Sequence, residues 1–131
     1  MSEIFKLLKC SKSQLSWLRL GGNQFTVETA KGLAEAINNN NCQLRWLDLW
    51  KNYISDIGAQ HLAKAINNNN CQLRTLNLSY NNISDIGAQH LAEAINNNNN
   101  CQLRRVYLTA NNISDIGAQH LAEAINNNNC Q

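Results

Sequence analysis

The sequence has no long apolar run, almost no net charge and no close pair of cysteines, and each shortage removes a class of protein. No stretch approaches the roughly 18 apolar residues that a membrane-spanning helix needs, so a membrane partner is not expected. The formal net charge is +2, too small by itself to argue for nucleic acid. The N-terminal MSEIFKLLKC lacks both a long apolar segment and a small-residue cleavage site, so no classical secretory signal is visible. A cytoplasmic location is the default expectation, with non-classical export or delivery into a host cell left open. There are five cysteines, an odd number without a C-x-x-C pair, which argues for reduced structural thiols rather than a disulfide framework or a metal site. No glycine-rich phosphate loop and no unique nucleophile beside a base can be found, so neither an enzyme nor a cofactor is expected.

What the chain does have is one unit used repeatedly. Leu15, Leu44, Leu73 and Leu103 begin aligned segments 29, 29 and 30 residues apart, which divides the chain into an N-terminal cap segment, 1–12, and four copies at about 13–41, 42–70, 71–100 and 101–131. Self-similarity at such a period marks a solenoid. Inside the third copy Leu76 and Leu78 alternate with Asn77 and Ser79, the two-residue period of a strand. After Ile83, residues Ala88, Leu91, Ala94 and Ile95 fall on one helical face, with Ser84 placed as N-cap and an Asn run as the stop. Neither element buries its apolar face alone, so the copies must stack, strands beside strands and helices beside helices.

The segments Leu44 to Ile54, Leu73 to Ile83 and Leu103 to Ile113 resemble the leucine-rich repeat signature L-x-x-L-x-L-x-x-N-x-I, with Val106 in place of one Leu. The long helical half, Gly58, Leu62, Ala63 and Ile66 in the second copy, resembles the ribonuclease-inhibitor-like subclass that also occurs in NOD-like receptors. The resemblance implies an α/β horseshoe segment, parallel strands on the concave face and helices on the convex face, whose usual work is binding other proteins. It also implies a ladder of amides from Asn23, Asn52, Asn81 and Asn111. By analogy with Ran GTPase-activating relatives, a regulator of a small GTPase or another enzyme is an alternative.

Several columns read as structure. Cys42, Cys71, Cys101 and Cys130 recur two residues before each Leu, as small buried residues in a stacked column would. His61, His90 and His120 recur once per copy, which suits inter-helix packing better than a catalytic site made once. The helical wheel puts Ile86 with His90 on one flank and Asp85 with Ala92 on the other. Gly21, Gly22 and Gly32 read as drift in an end copy. The last copy shows no polar cap after it, so the reading is either a piece of a longer array or an open edge covered by another molecule, self-association being one such cover.

Copies three and four differ almost only on one face. The frame Cys71 to Arg74 and Asn81 to Asn99 is repeated in copy four, whereas Thr75, Asn77, Ser79 and Tyr80 become Arg105, Tyr107, Thr109 and Ala110. Across the four strands the outward columns hold Trp17, Trp46, Thr75, Arg105; Arg19, Asp48, Asn77, Tyr107; Gly21, Trp50, Ser79, Thr109; and Gly22, Lys51, Tyr80, Ala110. Beside them Arg45, Arg74 and Arg104 form a basic column. Trp, Tyr and Arg dominate binding hot spots, so the expected site is Trp17, Arg19, Arg45, Trp46, Asp48, Trp50, Lys51, Arg74, Asn77, Tyr80, Arg104, Arg105 and Tyr107, receiving a protein with an acidic surface. Single-stranded nucleic acid ranks second, because Asp48 interrupts the basic columns. Strands about 4.8 Å apart and some 17 Å long give only a few hundred Å², below the roughly 800 Å² per partner of a standard interface, so the face alone should bind weakly.

Overall fold

The computed structural model describes residues 2–10, 12–68, 70–97 and 102–127. After the helix α1 (Ser2–Lys9), four strand–helix units follow: β1 (Trp17–Arg19) and α2 (Val27–Ile37), β2 (Trp46–Asp48) and α3 (Ser55–Ile66), β3 (Thr75–Asn77) and α4 (Asp85–Asn97), β4 (Arg105–Tyr107) and α5 (Asp115–Asn127). The strands form one parallel sheet in chain order, with Trp17, Trp46, Thr75 and Arg105 in one row and Leu18, Leu47, Leu76 and Val106 in the next. This is the α/β solenoid of about four repeats expected from the period. Each strand is only three residues long, but the ladder runs on past it. Gly22 N donates to Trp50 O, Lys51 N to Ser79 O and Tyr80 N to Thr109 O.

The core lies between sheet and helices. Leu47, Leu49, Leu62, Leu76, Leu78, Ile54 and Ile83 are fully buried, with Cys42 and Cys71 in the same cluster. In the fourth copy Val106, Leu108, Ile113 and Leu121 are only partly buried. Burial raises the Cys42 thiol above its ordinary pKa and pushes Cys71 up to about 11, so both stay protonated near neutrality, while Cys10 is exposed. The column positions Cys101 and Cys130 lie outside the described residues.

The amide ladder is present. Asn52 Oδ1 accepts from Asn23 N and Phe25 N of the preceding copy, at 3.0 and 2.9 Å, and its Nδ2 donates to Leu20 O and Leu49 O. Asn81 and Asn111 repeat the pattern. The strand-to-helix turns of the first three copies are therefore each satisfied by an amide from the next copy.

A second inter-copy tie joins the helix starts. Asp56 Oδ1 accepts from Ser84 N and Gly87 N, and its Oδ2 from Ser84 Oγ at 2.6 Å. Asp85 does the same for Ser114 and Gly117, and these bonds, Ser114 Oγ foremost, hold its carboxyl below the ordinary pKa. Ser84 Oγ also accepts from Ile86 N, 3.2 Å away, the capping bond expected of it. Ser55, which the repeat aligns with Ser84, departs from that role. It is the first residue of α3, with φ +61, and no side chain caps that helix; the first copy has Val27 where the later ones carry Asp, so no carboxylate reaches forward to it. Ile86 departs too. Ser84 and Gly87 occupy the side facing Asp56, which turns Ile86 outward, 61% exposed. His120, by contrast, lies close enough to Asp85 to lower its pKa further, as the flank assignment requires.

The glycines of the first copy have specific uses, against the reading of drift. A methyl group at Gly32 would lie 2.3 Å from the Phe5 ring, so the absent side chain is the notch in which α1 seats on α2. Leu8 of that helix is 1% exposed, and Asn41 Nδ2 donates to Lys9 O.

Candidate functional site

Strand alternation turns the leucines inward and leaves the varied residues on the open sheet face. Trp17 is 51% exposed, Trp50 42%, Tyr80 51% and Tyr107 40%. None of these rings belongs to the leucine core. Trp46 is half-buried because Trp17 stands against it edge to face, centroids 5.5 Å apart. Its Nε1 is shielded and has no hydrogen-bond partner among the described residues.

The face is organised as two aromatic pairs, each with its own cation. At the strand entries the Arg19 guanidinium lies 4.4 Å from the Trp17 ring centroid beside the Trp17–Trp46 pair. At the strand exits Trp50 and Tyr80 meet edge to face at 5.9 Å, and Lys51 Nζ is 5.8 Å from the Trp50 centroid. Both arrangements are ordinary for aromatic pairs and cation–π contacts, and they hold long cationic side chains close to the sheet before anything binds.

Other expected positions fall into three groups. Arg45, Arg74 and Arg104 form a row at the strand entries, tied by backbone bonds in which Arg45 O accepts from Arg74 N and Thr75 N, and Arg74 O from Arg104 N and Arg105 N. Arg105 is exposed. Asp48 and Asn77 are partly engaged at home, since Asp48 Oδ1 accepts from Trp50 N and Asn77 Oδ1 from Ser79 N. Thr75, on the same face, is 7% exposed and offers little surface.

Where the strands end, one aligned position takes the left-handed region in all four copies, and Gln24 and Asn82, two residues further on in the first and third, take it as well. Gly22, Lys51, Tyr80 and Ala110 have φ of +72, +55, +59 and +55. Glycine is the residue such a turn favours, and Gly22 supplies it. Beside it Gly21 makes room for the next copy, because a methyl there would lie 3.2 Å from the Trp50 ring. A cleft of about 550 Å³ opens at this end, lined by Gln24, Trp50, Lys51, Tyr53, Tyr80 and Asn82 among others. Tyr53, 55% exposed, was not among the expected site residues. The signal lay in the column Gln24, Tyr53, Asn82, Asn112, whose variation is invisible when only the third and fourth copies are compared.

Family models described as "Leucine Rich repeats (2 copies)" and "Leucine Rich repeat" match residues 42–92 and 99–122. No curated protein matches the chain. Among solved structures the chain is similar to leiomodin-1 actin-binding site 2, with a TM-score of 0.84 at 18% identity over 96% of this chain and 72% of that one. It is also similar to the tropomodulin C-terminal domain from Caenorhabditis elegans, with a TM-score of 0.58 at 18% identity over 96% of this chain and 91% of that one.

Proposed function

The chain belongs to the leucine-rich repeat family, and from that membership we propose that it is a non-enzymatic module that binds a protein with an acidic surface on its open sheet face. The observation that carries this reading is the pair of exposed aromatic clusters, Trp17 with Trp46 and Trp50 with Tyr80, each with a cation held beside it. Aromatic rings on the solvent side of a sheet add nothing to the leucine core behind them, and rigid rings beside Arg or Lys are the usual anchors of protein interfaces. Arg45, Arg74, Arg104 and Arg105 extend the positive field, so the partner's contact surface carries carboxylates. That two solved relatives of the fold are an actin-binding site and a tropomodulin domain makes actin the first defined protein to try.

The test compares the wild-type chain with a Trp17→Ala/Trp46→Ala variant whose circular dichroism is unchanged, using purified actin and a cell lysate as sources of partner. Proteins retained by the wild type should be lost by the double variant and should dissociate as salt is raised. Equal retention by both chains would show that the sheet face is not the interface.

A further inference from the structure

We propose that the cleft at the strand exits is the subsite for a glutamate or aspartate of the partner flanked by apolar residues, with Lys51 as counter-charge and Trp50 and Tyr80 as walls; the proposal rests on the protein-binding reading and deepens it. The cleft holds about 550 Å³ and Lys51 is the one charged side chain on its described wall. Its other large surfaces are the rings of Trp50, Tyr53 and Tyr80, all more than 40% exposed. A ligand without charge could offer the ammonium only a neutral acceptor, and a cation would be repelled. A carboxylate pairs with Lys51 while the residues on either side lie against the rings.

The backbone adds an independent argument. The turn at this column asks for a left-handed residue, and the first copy meets that demand with Gly22 at φ +72. Lys51 and Tyr80 occupy the same place at φ +55 and +59, where a side chain is strained, and a bulky one markedly so. Folding alone favours glycine at both positions. What the two side chains provide is the charge and one wall of the cleft.

The experiment titrates the labelled full chain with three peptides, acetyl-Val-Glu-Val-amide and its Gln and Lys counterparts, following the Trp50 indole resonance. The Glu peptide should bind about fivefold more tightly than the Gln peptide, as a solvent-accessible ion pair allows, and the Lys peptide most weakly. Lys51→Gly should erase the Glu preference while raising the thermal midpoint, because it removes the strained residue. Lys51→Gln, which keeps the stem, should erase the preference without that gain. Tyr80→Gly should also raise the midpoint but weaken all three peptides alike. A Glu preference that survives in both Lys51 variants, an indole that no peptide shifts, or a response to oligo(dT) stronger than to the Glu peptide would each overturn the proposal. The Trp17→Ala/Trp46→Ala variant separates the two readings, since it should lose partner capture yet keep the peptide response at Trp50.

Discussion

Asn81 is wholly buried, accepts from Ile54 N and donates to Leu49 O and Ser79 O. Replacing it by Ala strands groups on two copies at once, so Asn81→Ala should cost about 1–3 kcal/mol in chemical denaturation. Asp85 gives a pH signature. Its folded pKa is depressed, chiefly by Ser114, so its contribution is complete above the unfolded value of about 3.9 and is lost as pH falls through the lower folded value. Unfolding midpoints measured between pH 5 and 2 should fall less steeply for Asp85→Asn than for the wild type. The amide could be read from the sequence because its column is invariant across the copies. The carboxylate's partners could not, because spacing places Asp on a helix flank without saying that it reaches a serine 29 residues on.

Among the elements, the change from a two-residue to a helical period was enough to place β3 and α4, and the internal repetition carried that assignment to the other copies. The seating of α1 needed coordinates, since Gly32 and Phe5 stand in different parts of the chain and nothing in the pattern joins them. Gly32→Ala should push the Phe5 ring out of its notch. Amide hydrogen exchange across residues 3–9 should then quicken by an order of magnitude or more, with α3 and α4 unchanged. The left-handed column was also hidden, because Lys51, Tyr80 and Ala110 are not residues that announce such a turn. The cleft they line therefore escaped a reading that named Trp50, Lys51 and Tyr80 individually.

At the scale of the whole molecule, the buried thiols report on the integrity of the stack. At pH 8 alkylation followed residue by residue should modify Cys10 quickly, and Cys42 and Cys71 only through opening of the core. Because burial pushes Cys71 up to about 11, the stability it contributes is full below the unfolded thiol value of about 8.5 and declines as pH rises from there toward 11. Denaturation at pH 8 and pH 10.5 should show that decline, and Cys71→Ala should remove part of it. The sequence places the aromatic rings outside the core because strand alternation allows them nowhere else, but how they pair, and which cation attends which ring, depends on rotamers that no pattern encodes.

The ties between copies all have one reach. Asn111 bonds Leu78 O and Asn81 N, Asp85 bonds Ser114 and Gly117, and none of these bonds skips a unit. Each junction is thus complete in two neighbouring turns of the solenoid, and the third copy already carries both halves of it. Doubling that copy in the gene would lengthen the protein with a seam identical to those it has, which makes growth by tandem duplication the least disruptive change open to this chain and widens the binding surface by one strand each time.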